Sequence, residues 1–293
     1  MPNAGDEWQV AGKRKGAARK SKSLHLSTTS ACCQEQVDIG KTIKRIRDTV
    51  SELKCEEFWQ KWKDQLLVTG SVSLSEPPKN EGTEDLPVQQ ETGRLYQQME
   101  CVCYGLGTFS SCVSARYQLA MLLLLLDAGQ IPLKDCSIYD PAFSSGERDV
   151  LRELGLTVLT ENEEGKRLTT KPTLFYLMHC GKALYNNLLW KNWSSQCLPL
   201  MIIIGNSFSG MWSRTIEREF KQDYSYISQA VCVCEERQLP CPPRLIDVFS
   251  DTALITFPTN RINTLPQSTW AEPPEPQYQH CPDLEIILRE TQS

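Results

Sequence analysis

The stretch CVCYGLGTFSSCVSARYQLAMLLLLLDAG, residues 101–129, decides the fold of this chain. A short apolar run ends at Gly105, Gly107 follows two positions later, and a long apolar segment comes after two serines. This succession predicts a buried strand, a tight turn, and a helix that begins near Ser111 and ends at Gly129. The stretch therefore predicts the first strand–turn–helix unit of an α/β domain.

The same alternation of strand and helix patterns continues to residue 257. Short apolar runs bounded by turn residues predict further strands within 136–140, 156–160, 172–180, 198–206, 230–234 and 252–257. One of the intervening helices begins with the capping-box spacing of Ser144 and Glu147. Strands joined through helices form right-handed parallel units with helices on both faces of the sheet. We therefore predict an α/β fold, a Rossmann-like three-layer sandwich with a mainly parallel sheet, plus an N-terminal amphipathic helix.

Composition divides the chain into five parts. They are a disordered basic arm, an amphipathic helix, a linker rich in Ser, Pro, Gly and acidic residues, the α/β domain, and a Pro-rich tail, at 1–36, 37–68, 69–94, 95–260 and 261–293. The amphipathic helix carries its isoleucines on one stripe. We expect it to pack on the α/β domain, with helix-mediated dimerisation as the alternative.

Charge is distributed unevenly along the chain. Residues 1–22 contain six Lys and Arg against two acidic residues, which leaves −9 for the remainder of a chain whose net charge is −5. The arm is typical of a nuclear-import or nucleic-acid-binding tail, or of a solvated terminus without such a role. The acidic remainder gives no support for nucleic-acid binding by the folded domain.

Two classes of protein are excluded by simple counts. The longest apolar run, Leu119 to Leu126, has eight residues, whereas a membrane-spanning helix needs about 20. The N-terminus lacks the apolar segment of a secretory signal, and an odd count of thirteen cysteines argues against a disulfide framework. We therefore predict no membrane partner and a reducing compartment, the cytosol or the nucleus.

Residues that end parallel strands gather at one edge of the sheet, where open α/β folds bind their ligands. The candidate ligand-binding residues at this edge are Gly105, Gly107, Thr108, Ser110, Asp140, His179 and Asn206. The turn after the first strand matches the dinucleotide fingerprint G-x-G-x-x-G with serine in the third place. Ser110 and Ser111 are also positioned to cap the helix, which would leave its N-terminal amides facing an anion.

Two residues of this set have alternative structural roles. Asp140 is an acidic residue that could hold ribose hydroxyls, or a turn cap before Pro141. It follows Gly107 by 33 residues, against about 20 in the usual dinucleotide unit. His179 is a hydrogen-bonded structural residue or a general base. No G-x-S-x-G motif precedes a helix, so we assign no catalytic residue.

A cysteine cluster, Cys232, Cys234 and Cys241, has the spacing C-x-C-x6-C. Structural zinc sites take four ligands, commonly in pairs of C-x2-C, and no fourth ligand follows from this pattern. We therefore predict no metal site, and the cofactor stays unknown.

Four blocks of sequence, in this order, resemble the sensitivity-to-red-light-reduced family. They are CYGLGTFSSCVSARYQLAMLLLLL, IYDPAFSSGERDVLRELGLTVL, LFYLMHCGKALYNNLLW and IIIGNSF, all within 95–260. The resemblance implies a regulatory protein of the cytoplasm, with the nucleus as a second location. Members are associated with light signalling and clock regulation in plants, and with clock-gene expression and heme biosynthesis in animals. Because no catalytic activity is established for that family, the resemblance transfers no catalytic residue.

Three functions remain open from the sequence. The first is a regulator that binds protein partners and a small nucleotide-type ligand at the sheet edge. The second is a nucleotide- or S-adenosylmethionine-binding enzyme, methyltransferase-like and of unknown substrate. The third is heme binding, suggested by the resemblance and by Cys-Pro pairs within 240–243 and 280–282.

Overall fold

The computed structural model describes residues 37–73, 99–271, 274–278 and 286–287. The predicted basic arm, 1–36, lies outside the described residues, as does the part of the predicted linker from 74 to 94.

In the described part of the chain, seven strands form one sheet. They are β1 (Glu100–Tyr104), β2 (Cys136–Tyr139), β3 (Thr157–Val158), β4 (Thr173–Leu177), β5 (Met201–Asn206), β6 (Glu235–Gln238) and β7 (Thr252–Thr256). Their order across the sheet is β3-β2-β1-β4-β5-β7-β6. Strands β1 to β5 pair in parallel, whereas β7 runs antiparallel to β5 and to β6. This arrangement confirms the predicted α/β class with a mainly parallel sheet.

Helices connect the strands and precede the sheet. Their bounds are α1 (Ile39–Lys54), α2 (Glu57–Ser73), α3 (Val113–Ala128), α4 (Ser145–Glu153), α5 (Lys182–Lys191), α6 (Phe208–Ser213), α7 (Glu217–Asp223), α8 (Ser225–Val233), α9 (Ile246–Phe249) and α10 (Thr259–Ile262). Within the ranges that the structure describes, none of these helices has the length and apolar character needed to cross a membrane.

Each face of the sheet has its own apolar core. Along β1, Cys101 and Cys103 point into one core while Val102 and Tyr104 point into the other, because successive side chains of a strand alternate between faces. Helices α1 to α4 and α9 cover the first face, and α5 to α8 and α10 cover the second. The predicted three-layer sandwich is therefore confirmed.

Helix α3 is apolar around almost its whole circumference. It lies between the sheet and α1, so that residues from Leu119 to Leu126 are buried on several sides. The helix ends at Gly129 as predicted, but it begins at Val113 with Cys112 as its N-cap, two residues later than predicted.

The predicted single helix before the linker is two helices. The N–H groups of Cys55 and Glu56 donate to the carbonyls of Glu52 and Leu53 three residues back, which tightens the chain and ends α1. Helix α2 then turns its aromatic residues onto the α/β domain. The indole N–H of Trp62 donates to the carbonyl of Pro240 at 2.8 Å. Helix α2 continues to Ser73, within the predicted linker.

The prediction of a strand at 230–234 is wrong. Residues 225–233 form α8, whose buried side chains Ile227, Ala230 and Val233 recur at helical spacing. The strand β6 begins only at Glu235, and its charged residues gave no strand pattern.

The described residues after β7 pack on the second face. Trp270 lies 6.1 Å from Trp193 between ring centroids, and the hydroxyl of Tyr226 donates to the carbonyl of Pro274 at 2.7 Å. The hydroxyl of Tyr278 contacts three polar groups of α5, at Ala183, Asn186 and Asn187.

Candidate functional site

A pocket of about 270 Å³ opens at the carboxyl ends of β1, β2 and β4. Three of the predicted residues line it, namely Gly105, Asp140 and His179. We call it the acidic compartment because Asp140 and Glu164 bring carboxylates to its wall. It lies where ligands bind in open α/β folds, on both sides of the point at which the strand order reverses.

Gly105 is required by the geometry of this pocket. Its φ is +67°, and a Cβ atom at this position would lie 2.5 Å from the sulfur of Cys180. The same thiol donates to the carbonyl of Tyr104 at 3.3 Å. The first glycine of the turn therefore brings β1 and the end of β4 into close contact.

Asp140 connects two loops through its carboxylate. One oxygen accepts the N–H of Gly107 at 2.7 Å and the other accepts the N–H of Ala142, also at 2.7 Å. The residue is 7% exposed. Of the two roles that the sequence left open, the turn cap is therefore present. Because each oxygen has a second lone pair and the residue lines the pocket, it can still accept a hydroxyl group.

The remainder of the glycine turn lies away from this pocket. Neither Gly107, Thr108 nor Ser110 is among the described residues that line it. The backbone N–H and the hydroxyl of Ser110 both donate to one oxygen of Glu147, each at 2.9 Å. The second oxygen of Glu147 accepts the N–H and the hydroxyl of Ser144, which completes the predicted capping box.

The expectation that Ser110 and Ser111 cap α3 is wrong. The helix has Cys112 as its N-cap, without a side-chain capping bond, because Ser110 is engaged by Glu147. Glu147 is only 1% exposed. A buried carboxylate of the protein thus lies where we expected an external anion, and the turn is not arranged as a phosphate cradle.

The loop after β5 repeats this arrangement with another residue. The carboxylate of Glu236 accepts the hydroxyl of Ser207 and the N–H of Ser209, the latter at 3.1 Å. The donors of two loops at this edge are therefore satisfied by carboxylates from the chain itself.

The wall of the acidic compartment includes a buried phenol. The hydroxyl of Tyr104 donates to Glu163, whose other oxygen pairs with Arg167 at 2.8 Å. Burial and the bond to Glu163 raise the pKa of the Tyr104 phenol far above its ordinary range. Tyr104 is therefore a neutral hydrogen-bond donor at physiological pH.

The C-terminal segment contributes the outer wall of the acidic compartment. Ile286 and Ile287 line it, and the side-chain amide of Asn162 donates to the carbonyl of Ile287 at 2.6 Å. These two isoleucines lie more than a hundred residues beyond the strand ends, so the local sequence pattern gave no signal for them.

His179 stands between two compartments. Its φ is +53° and its ring Nε2 lies 2.9 Å from the carbonyl of Val248. Because a carbonyl can only accept, Nε2 carries the hydrogen. Because Val248 belongs to α9, this bond fixes the orientation of the ring. His179 therefore has the role of a hydrogen-bonded structural residue, one of the two that the sequence left open.

The second compartment has a volume of about 290 Å³ and shares His179 and Cys180 with the first. We call it the basic compartment because Lys182 and Arg214 line it. Of the predicted residues, Asn206 lies here rather than in the acidic compartment. Neither cation was among the predicted residues, because the start of α5 and the end of α6 bring them to the edge without a local motif.

Asn206 is held in place by a buried tyrosine. The hydroxyl of Tyr185 donates to the carbonyl of Leu177, accepts the Asn206 N–H at 2.8 Å and lies 3.0 Å from Asn206 Oδ1. Tyr185 is fully buried, and burial raises the pKa of its phenol well above the ordinary value. These contacts hold Asn206 at the end of β5, where it lines the compartment.

The cysteine cluster is spread over different environments. Cys232 is exposed, Cys234 is buried and Cys241 is half-buried. In the described ranges, no three His, Cys, Asp or Glu residues are grouped as a metal site. Burial raises the pKa of the Cys241 thiol, which donates to the carbonyl of Leu245 at 3.4 Å. This disfavours the thiolate form that a heme ligand would need. The second Cys-Pro pair, within 280–282, lies outside the described residues.

The model of the SRR1 domain matches residues 85–256, which include the strands from β1 to β7. The chain belongs to the SRR1 family. The predicted resemblance to the sensitivity-to-red-light-reduced family is thereby confirmed.

Three relatives illustrate the spread of the SRR1 family. The SRR1-like protein of Mus musculus is 39% identical over 214 residues, which cover 67% of this chain and 83% of the relative. The SRR1-like protein of Drosophila melanogaster is 29% identical over 263 residues, covering 88% and 85%. Protein SENSITIVITY TO RED LIGHT REDUCED 1 of Arabidopsis thaliana is 33% identical over 227 residues, covering 77% and 78%. The name of the plant relative implies a regulatory role for that protein.

Proposed function

We propose that this member of the SRR1 family is a non-enzymatic regulator whose α/β domain binds a small nucleoside-type ligand in the acidic compartment. One observation carries the proposal. The carboxylates of Asp140 and Glu147 hold loops together at this edge of the sheet. Between the strand ends, an open pocket is left. Among the described residues, the ring of His179 hydrogen-bonds to the backbone carbonyl of Val248 and not to a nucleophilic side chain.

The charge of the acidic compartment selects the ligand class. Asp140 accepts two backbone N–H groups and Glu164 pairs with Lys166 at 2.7 Å, and the remaining lone pairs of both carboxylates favour hydroxyl donors over a phosphate group. The volume of about 270 Å³ is near the lower end of small-molecule sites, roughly 300–1,000 Å³. A neutral or cationic nucleoside therefore fits better than a nucleoside di- or triphosphate.

A ligand screen on the full chain tests this step. Adenosine and S-adenosylmethionine should raise Tm, by the equivalent of about 2.7 kcal/mol at 100 times Kd, whereas ATP and heme should not. Asp140→Asn and Glu164→Gln should each weaken the shift. Asp149→Asn, on the exposed face of α4, is the matched control. An ATP shift equal to the adenosine shift, or no shift with either nucleoside, would contradict the ligand proposal.

We further propose that the protein regulates clock-gene expression and heme biosynthesis through protein partners, in the cytoplasm and also in the nucleus. Membership of the SRR1 family and the light-response name of the plant relative support this role. In cells that lack the protein, clock-transcript rhythms and the rate of heme synthesis should change. The wild-type chain should restore both, and a Gly105→Val chain should not. Unchanged rhythms and heme synthesis in the deficient cells would refute the proposal.

One observation favours a second candidate, methyl transfer from S-adenosylmethionine. Gly105 of the glycine turn and the strand-end carboxylate of Asp140, the two features that suit an S-adenosylmethionine site, line the same compartment. Fold alone does not give function. If methyl transfer occurs, the sulfonium methyl group moves to a lone pair of an acceptor and S-adenosylhomocysteine leaves. Formation of S-adenosylhomocysteine that depends on Asp140 would favour this candidate over the regulator.

A further inference from the structure

The basic compartment is not used by the proposed function, although it adjoins the acidic one. Its described lining contains Lys182 and Arg214 and no carboxylate. Among the residues that the structure describes, Lys182 has a cation–π contact with Tyr224 at 5.5 Å and no ion pair. The compartment therefore carries positive charge at its wall.

Arg214 keeps donor groups beyond its ion pair. One terminal nitrogen, Nη2, pairs with Asp251 at 2.5 Å. A guanidinium has five N–H donors in a planar fork. The carboxylate thus holds the guanidinium in position at the rim, and further N–H groups remain for a second oxygen atom.

Asn206 adds a neutral side-chain amide, which carries N–H donors. The residue lines the compartment and is held at the end of β5 by its contacts with the buried hydroxyl of Tyr185. A residue that is held in place before binding loses little freedom when a ligand arrives. Lys182, Arg214 and Asn206 together form a set of donors around one cavity.

Two neighbouring loops at the same edge indicate what such donors bind. The donors after β1 are occupied by Glu147 and those after β5 by Glu236. In both loops the partner is a carboxylate of the chain. The basic compartment has the charges and the donor in place, and none of its described lining residues is acidic. Asp251 of the chain already pairs with Arg214, so an anion for Lys182 and for the remaining N–H groups of Arg214 would come from another molecule.

We propose that the basic compartment is a binding site for the anionic group, carboxylate or phosphate, of a small molecule. With a volume of about 290 Å³, the site takes a small organic acid or a phosphate monoester. The anion lies between Lys182 and Arg214 and accepts the NH₂ of Asn206. This site does not depend on any ligand of the acidic compartment.

Calorimetric titration of the full chain tests the site, with inorganic phosphate and citrate as probes at constant ionic strength. At least one probe should bind saturably, and the two arms distinguish phosphate from carboxylate preference. Lys182→Gln and Arg214→Gln should each weaken binding about tenfold, since hydrogen bonds to charged groups are among the strong ones. Lys191→Gln, at the other end of α5 and against Trp190, is the matched control and should change Kd less than twofold.

Asn206→Asp provides a second variant with almost the same shape. It places a negative charge in the compartment and should abolish anion binding while the circular dichroism spectrum stays unchanged. Adenosine binding should survive in all of these variants, which separates failure of this site from failure of the nucleoside site. The proposal is overturned if neither probe binds saturably, or if Lys191→Gln weakens binding as much as Lys182→Gln does.

Discussion

The acidic and basic compartments share His179 and Cys180, yet they differ in charge and in how they are enclosed. The acidic compartment is formed by β1, β2 and β4, has carboxylates at its wall, and is bounded outside by Ile286 and Ile287. The basic compartment lies on the side of β5 and presents Lys182 and Arg214. One edge of the sheet therefore carries two compartments of different charge, which meet at His179 and Cys180.

The difference in charge between the two compartments follows from which polar groups on each side are already paired with other residues of the chain. Glu147 and Asp140 connect the loops around β1 and β2, so the donors there are already used. On the β5 side, Glu236 occupies the donors of Ser207 and Ser209. Asp251 takes one terminal nitrogen of Arg214, whereas Lys182 has no ion pair among the described residues.

Gly105→Val should have the largest effect, because it disturbs the wall of the acidic compartment where β1 and the end of β4 are in close contact. The positive φ and the approach of Cys180 should lower the free energy of unfolding by about 4 kcal/mol. Urea denaturation measures this. Gly40→Ala, in the open surroundings of α1, is the control and should be neutral or stabilising. Gly105→Ala should show the same effect in smaller degree, and Cys180→Ala should relieve part of it. If the double variant Gly105→Ala/Cys180→Ala is no more stable than Gly105→Ala alone, the contact with Cys180 is not the cause of the destabilisation.

Glu147→Ala should lower the free energy of unfolding by about 3 kcal/mol, since four donors from Ser110 and Ser144 lose one buried acceptor. Thermal or urea unfolding measures the change. Glu153→Ala, on the exposed end of the same helix, should change stability by less than about 0.5 kcal/mol. Equal effects of the two substitutions would mean that the buried carboxylate does not hold the loop.

Tyr278→Phe should loosen the C-terminal segment without altering the basic compartment. Loss of the hydroxyl contacts with Asn186 and Asn187 should cost about 1–2 kcal/mol. Adenosine should then dissociate faster, as measured by stopped-flow fluorescence, while Kd for phosphate stays unchanged. A parallel loss of phosphate affinity would show that the two compartments are not independent.

The smallest effect concerns the buried phenols behind each compartment, Tyr104 and Tyr185. Burial raises the pKa of both phenols. Each neutral phenol therefore contributes its full stabilisation at pH values below the ordinary tyrosine pKa of about 10, and this stabilisation is lost as the pH rises above that pKa. The free energy of unfolding should fall by about 1.4 kcal/mol per pH unit for each tyrosine above pH ~10. Removing one phenol, in Tyr104→Phe or Tyr185→Phe, should reduce this slope, and an unchanged slope would contradict the assignment.

Local patterns in the sequence predict the fold and the place of the site. Apolar runs such as 198–206 and the capping box at Ser144 and Glu147 specify their own elements, because the residues involved are neighbours in the chain. From parallel strands alone, Gly105, Asp140 and His179 were expected at one edge, and they line one pocket.

Contacts between distant parts of the chain could not be predicted in the same way. Glu147 reaches Ser110 across 37 residues, and Asn162 reaches Ile287 across 125. No periodicity encodes such pairs, so the occupied loop after β1 and the wall of isoleucines were both missed. The antiparallel β7 was missed for the same reason, since direction depends on the connection and not on the strand pattern.

The most direct test of the two-compartment account is a calorimetric cross-comparison of adenosine and phosphate on three chains, wild type, Glu164→Gln and Lys182→Gln. The account predicts that Glu164→Gln weakens adenosine binding alone and that Lys182→Gln weakens phosphate binding alone. If either substitution weakens both ligands equally, or if neither changes its own ligand, the two compartments are not separate sites of opposite charge.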